Sequence, residues 1–266
     1  MGGLGTTWDA PLEFRLAYCE EGDPPPPEAA DVPNLMLPPD YDPDKLLGIM
    51  QAYSGQIALL DACFDVFLDF FDALPYSRDT LLTLASSRGF PLGEHGLVGP
   101  GDGALFDETY GETVQVPWML QLPDALGGAF GKAARSQSLI EPSDLWATLL
   151  DAWRIADAPH SPTGRSVLPL IRQEIDTLHD RVGVVNAAGR RAIRTAGWYL
   201  RNNGNGEEPE LYVKPDDRWE VNNVVSRCRE IAENLQNALT DYERAIAAGR
   251  AADLPPLGEV LRNWLA

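Results

Sequence analysis

The sequence predicts an α/β protein: a mainly parallel sheet flanked by helices, then a small C-terminal antiparallel sheet with a packing helix. Three observations predict it. Apolar residues recur at spacings of three and four over 45–73, the period of an amphipathic helix. Short apolar runs without polar alternation follow at 79–86 and 116–122, as in strands covered on both faces. Beyond residue 182, short strand-like runs alternate with turn signals and lead into a second long periodic stretch. The expected divisions are an extended Pro-rich segment (1–44), an α/β core portion (45–181) and a sheet-plus-helix portion (182–266).

Each element has a local reason. Pro24 to Pro27 are consecutive, and Pro33, Pro38, Pro39 and Pro43 follow. Proline fixes φ and removes a donor, so 1–44 reads as extended surface chain. The helix over 45–73 carries Leu46, Ile49, Met50, Tyr53, Ile57, Leu60, Phe64, Phe67, Leu68 and Phe71 on one face. Asp61, Asp65, Asp69 and Asp72 fall opposite and read as a solvated stripe rather than a metal site. The loop 87–100 holds Gly89, Gly93, Gly96 and Gly99, and loops at the C-terminal ends of strands are where α/β sheets place chemistry. Ser143 is expected to cap a helix running to Trp153. Strands are expected at 182–185, 192–194, 198–201 and 210–213, with a turn at Asn202–Gly206. A helix over 220–248 should cover that sheet and end at Gly249.

Composition excludes several functions. Forty acids against 21 bases give a formal charge of −19 in 266 residues. Phosphate binding runs on Lys and Arg, so nucleic acid is not an expected partner, nor is an anionic membrane. No run approaches the ~18 apolar residues of a membrane span. Cys19, Cys63 and Cys228 form no CxxC pair and read as reduced thiols, Cys63 inside the helix core. The N-terminus has neither a basic region nor an apolar stretch, so the expected location is cytoplasmic. His160 and His179 have no sequence neighbours that make a constellation and read as surface residues.

Seven segments in order resemble the C-terminal portion of the sulfatase family, in the alkaline-phosphatase-like superfamily. Tyr53–Asp61 resembles Y-x-x-x-I-x-x-L-D, and Asp79–Ser86 the strand after it. Gly89–Leu97 resembles G-x-x-L-G-E-H-G, and Tyr110–Pro117 resembles Y-E-E-x-x-x-V-P. Asp144–Leu150, Gly164–Leu170 and Glu210–Asn223 resemble D-L-x-P-T-L-L, G-x-S-L-L-P-L and the closing E-L-Y segment. The resemblance implies an incomplete alkaline-phosphatase-like fold and the chemistry of sulfate ester hydrolysis. That chemistry uses a formylglycine from C-x-P-x-R, a calcium-class cation held by oxygen ligands, and Lys, Arg and His for developing charge.

This chain departs from the pattern at each of those groups. None of its cysteines lies in C-x-P-x-R, and Ser161–Arg165 has only the outer spacing, without the central Pro. Where the family has S-D-H-G or S-D-N-G, this sequence has Ser86-Ser87-Arg88-Gly89. Ser87 and Arg88 thus occupy metal-ligand positions, and the family's lysine falls near Pro100. The only lysines are Lys45, Lys132 and Lys214. No metal is therefore expected in this chain, and calcium only if an intact site is completed elsewhere. Ser86, Ser87, Arg88, Gly89 and His95 form a candidate anion pocket. The competing reading pairs Arg88 with Glu94 or Glu112 and gives His95 a loop-ordering hydrogen bond. The expected function is a sulfatase-like protein, catalytically degenerate or a fragment, with a binding or scaffold role. The alternative is a sulfuric ester hydrolase whose nucleophile and metal come from a missing N-terminal half or a partner chain. The expected partner is such a complementary half or a second copy.

Overall fold

The computed structural model describes residues 7–100, 108–126, 134–155, 163–186, 189–204, 206–250 and 254–264. They belong to two units, Met1–Asp107 with Glu112–Gly128, and Glu108–Gly111 with Ala129–Ala266. No described helix is long and apolar enough to cross a membrane.

In the first unit the prolines keep the early elements short. They are β1 (Thr7–Trp8), α1 (Leu12–Leu16), β2 (Ala30–Asp31), which pairs antiparallel with β1, and β3 (Leu35–Met36). The long helix α2 spans Pro43–Asp72. Asp42 caps it by accepting from the Asp44 amide at 3.0 Å, and Pro43 enters with φ already helical. The acidic stripe Asp61, Asp65, Asp69 and Asp72 is exposed, as expected. Of the residues the periodicity marks, Phe71 is buried; the other buried residues of α2 are Gln51, Ala52 and Gly55. Gly55 is required because a Cβ there would lie 2.5 Å from Arg15 Cγ of α1. The rings of Trp8, Tyr53 and Phe90 cluster, with centroids 5.2–5.5 Å apart, and join β1, α2 and the glycine loop.

Arg15 is buried against α2 with Nε and Nη1 unpartnered. Desolvating donors without compensation is unfavourable. Arg15→Met keeps the alkyl packing and removes those donors. It should raise stability by about 1–3 kcal/mol, read as a higher urea midpoint; a lower midpoint contradicts this.

Downstream come β4 (Leu82–Ala85), β5 (Leu97–Val98), α3 (Gly111–Val114) and β6 (Trp118–Gln121). Strands β3 and β5 pair antiparallel. Strands β4 and β6 also pair antiparallel, Leu82 opposite Gln121 and Ala85 opposite Trp118. The expected mainly parallel sheet is not found among the described residues: every ladder there is antiparallel. The chain reverses between β4 and β6, so the two meet head to tail. An apolar run without alternation shows that both faces want cover; it does not fix strand direction.

The second unit holds α4 (Pro142–Ala152), α5 (Leu168–Ile171) and an antiparallel sheet. Its strands are β7 (Val182–Val185), β8 (Arg191–Arg194), β9 (Trp198–Asn202) and β10 (Glu210–Val213), in the order β10-β9-β8-β7. Helices α6 (Arg229–Ala247) and α7 (Glu259–Arg262) follow. Ile193, Trp198, Leu200 and Leu211 of the sheet pack on Ala232, Leu235 and Leu239 of α6. The helix begins at Arg229 rather than 220 because side chains capture the preceding amides. Asp217 accepts from Val221 and Asn222, and Asn223 accepts from Val225, which diverts those donors from a helical ladder. Gly249 follows α6 at φ +67°, as a helix terminator requires.

The cysteines are free thiols. Cys63 lies on α2 but is exposed rather than buried.

Candidate functional site

The turn after β4 is built by ladder continuation. The Ser86 amide donates to Pro117 O at 3.2 Å, one step past the β4–β6 pairing, and Ser86 Oγ donates to Arg88 O at 2.7 Å. Gly89 N–H then donates to Thr113 O at 3.0 Å. A Cβ on Gly89 would lie 1.9 Å from the Glu112 carbonyl oxygen, so only glycine allows this approach. Gly89→Ala must separate the turn from residues 112–113. The expected cost is about 1–3 kcal/mol, as for overpacking, read as a lower thermal midpoint for the first unit; an unchanged midpoint contradicts the approach.

Ser86, Ser87 and Arg88 are exposed. Arg88 Nη1 donates to Pro100 O, so the guanidinium closes the loop that runs from Arg88 to Pro100. Pro100, near the position where the resemblance puts a lysine, contributes a backbone acceptor. Two acids near Arg88 have partners of their own. Glu94 Oε2 accepts from the Leu92 amide at 2.7 Å, and Glu112 Oε1 lies 2.7 Å from His95 Nδ1. His95 sits at φ 52°, ψ 24°, a left-handed conformation uncommon for a residue with a Cβ. The Glu112 contact holds the ring in place against that cost. The segment 112–113 therefore gathers Gly89 and His95, while Ser86, Ser87 and Arg88 lie on the solvent side of the same turn.

A calcium-class ion takes oxygen ligands. At Ser87 and Arg88 the donors are a hydroxyl and a guanidinium that has five N–H groups and no lone pair to offer. The residues of this turn do not fit such an ion. Lys132, His160 and Ser161 lie outside the described residues.

Two clusters escaped the sequence reading, both in the second unit. His179 is buried, not on the surface: Nε2 lies 3.0 Å from both carboxylate oxygens of Asp144, itself 0% exposed. Asp144 also accepts from the Glu141 and Arg165 amides at 2.8 Å each. The cap of α4 is thus Glu141 with Asp144, a reciprocal capping box, rather than Ser143. Ser143 Oγ instead donates to Glu141 Oε1 at 2.5 Å. Among the described residues Glu141, Asp144 and His179 are the one group of three placed closely enough to hold a metal. Every carboxylate oxygen of the trio already has a partner, since the Tyr242 hydroxyl donates to Glu141 Oε2 at 3.1 Å. Burial, then the Glu141 carboxylate, pushes the Tyr242 hydroxyl well above the usual tyrosine range, so it remains a donor. The trio reads as an internal brace.

The second cluster surrounds Arg201, 0% exposed on β9. Its Nη2 meets Glu108 Oε2 at 2.6 Å, Nη1 meets Glu210 and Nε meets Thr109 Oγ1 at 3.2 Å. Its plane lies 3.2 Å from the Tyr110 ring centroid. Glu108 also pairs with Arg190. Nearby, Glu220 joins Lys214 Nζ at 2.8 Å to the Gly111 amide at 2.9 Å. Residues 108–111 are thereby fixed to the C-terminal sheet. The only sequence signal was Tyr110 and Glu210 inside two of the resembling segments.

No protein-family model matches the chain, and no curated protein matches it. Solved structures do. BT4656 in complex with its substrate D-glucosamine-2-N,6-O-disulfate matches with a TM-score of 0.61 at 22% identity, over 80% of this chain and 42% of that one. BT1596, a 2-O GAG sulfatase, matches with a TM-score of 0.61 at 20% identity, over 84% and 49%. The phosphonate monoester hydrolase of Agrobacterium radiobacter matches with a TM-score of 0.59 at 20% identity, over 81% and 44%. The likeness is one of fold: that of part of a sulfatase or phosphonate monoester hydrolase. The chain spans less than half the length of each of these three proteins.

Proposed function

We propose that this chain is a catalytically degenerate portion of a sulfatase-type ester hydrolase that acts by binding rather than by turnover. The turn after β4 carries this reading. A cationic fork and a hydroxyl stand where oxygen ligands would be needed, and the fork is used to hold the Pro100 carbonyl. His95 is committed to Glu112. The position near Pro100, where the resemblance puts a lysine, carries none, which supports the same reading.

One observation favours a second reading. The solved hydrolases are more than twice as long as the parts this chain matches, so a further polypeptide could supply nucleophile and metal. The completed assembly would then hydrolyse sulfate, phosphate or phosphonate monoesters.

Turnover separates the two. The purified chain, with and without millimolar calcium, is expected to leave 4-nitrophenyl sulfate and 4-nitrophenyl phenylphosphonate unhydrolysed. Calcium-dependent hydrolysis that disappears in Arg88→Ala would overturn the degenerate reading.

A further inference from the structure

The turn after β9 carries chemistry of its own. Among the described asparagines only Asn203 precedes a glycine, Gly204. Gly204 has no Cβ and sits at φ +73°, so no side chain there screens its nitrogen from the Asn203 side chain. Other turn asparagines of this unit are held by hydrogen bonds. Asn186 Oδ1 accepts from the Arg190 amide at 2.9 Å, and Asn223 Oδ1 accepts from the Leu211 and Val225 amides at 3.1 and 3.0 Å. Asn203 Oδ1 is buried and has no donor, so no hydrogen bond to that oxygen fixes the side-chain amide.

The Gly204 amide, by contrast, is engaged. Its N–H donates to Asn202 Oδ1 at 3.0 Å, the pattern of an Asx turn. That bond holds the proton that must leave before the nitrogen can act as a nucleophile.

We propose that Asn203 is a site of spontaneous deamidation, with the Gly204 nitrogen as nucleophile and Asn202 as the group that restrains it. The nitrogen loses its proton to solvent, and its electron pair forms a bond to Asn203 Cγ. The Cγ–Nδ2 bond breaks, and Nδ2 takes up a proton and leaves as ammonia. Water then adds to either carbonyl carbon of the cyclic imide, which opens to an aspartate at position 203 or to its β-linked isomer. One water is consumed and one ammonia released, with no oxidant, reductant or metal. The chain gains a negative charge shortly before the exposed Glu207 and Glu208. The isomer also lengthens the backbone just beyond Arg201, whose Nη1 meets Glu210 across the β9–β10 ladder. This chemistry is independent of whether the chain hydrolyses esters.

The test incubates the purified full chain in mildly alkaline buffer and follows position 203 by tandem mass spectrometry, with enzymatic methylation to detect isoaspartate. The expected result is acid accumulating at 203 with the β-linked isomer in the majority, the signature of the imide. Asn202→Ala should speed it roughly 2- to 10-fold, the weight of one net hydrogen bond broken before attack. Asn202→Asp keeps an oxygen acceptor and should match the wild type. Asn205 also precedes a glycine and lies outside the described residues; fragment ions separate the two positions. Unchanged circular dichroism shows that the variants fold. Three results would overturn the proposal: no acid at 203 in the wild type or in Asn202→Ala, conversion without the isomer, or Asn202→Ala no faster than the wild type.

Discussion

Arg201→Met is expected to destabilise the C-terminal unit by about 3–5 kcal/mol, the cost of removing one partner from a buried charge cluster. Arg201 is wholly buried and serves Glu108, Glu210 and Thr109 at once, with its plane on Tyr110. Methionine replaces much of the volume but leaves Glu210 with only the Tyr212 hydroxyl at 3.1 Å, and Glu108 with Arg190. The hydroxyls report on the same cluster. Burial, then the Glu210 carboxylate, pushes Tyr212 far above the usual tyrosine range. Burial also raises Tyr110, opposed by Arg201. Raised hydroxyls stay protonated at neutral pH. Their contribution is complete below pH ~10 and is lost only as pH rises through the folded-state values. Arg201→Lys keeps a charge but not the planar fork, and should fall between wild type and Arg201→Met. Urea unfolding followed by tryptophan fluorescence measures all three. Loss under 1 kcal/mol for Arg201→Met would mean that the cluster does not hold 108–111 to the sheet.

Asp144→Ala is the second large effect, at about 3 kcal/mol or more. It orphans the Glu141 and Arg165 amides and His179 Nε2 together, and each buried unpaired group costs about 1–3 kcal/mol. Thr148 Oγ1 bonds the Asp144 carbonyl and accepts from the Val167 amide at 3.0 Å, so loosening the first turn of α4 propagates to 165–168. Asp144→Asn keeps one acceptor oxygen and should lose roughly half as much. Equal losses for Ala and Asn would show that charge, not hydrogen-bond count, dominates. Added zinc or calcium should leave the wild-type midpoint unchanged, because the trio's oxygens are already used.

The sequence made elements legible where local rules decide them. The apolar spacing that begins at Leu46 placed the start of α2 within two residues of Pro43, which the sequence reading puts in the Pro-rich segment, and Glu210–Val213 fell where turns put it. The rules failed where long-range partners decide. The apolar run Asp79–Ser86 gave a strand but not its direction, which depends on β6 more than thirty residues on. Asp217 and Asn223 shortened α6 through side chains that no periodicity counts. His179 looked solitary because Asp144 is 35 positions away, and Arg201 meets Glu108 across 93. The turn Ser86–Gly89 was legible as a departure from a pattern; the contact of His95 with Glu112 was one of two readings, and the contact of Arg88 with Pro100 was not foreseen.

The most direct measurement is calorimetric titration of calcium into the purified chain at neutral pH. The account predicts no heat beyond dilution up to millimolar calcium, for wild type and for Ser87→Ala alike, because the turn after β4 offers a hydroxyl and a guanidinium. Saturable one-to-one binding that is lost in Ser87→Ala, or strengthened in Arg88→Ala, would show that this turn grips a divalent cation and would contradict it.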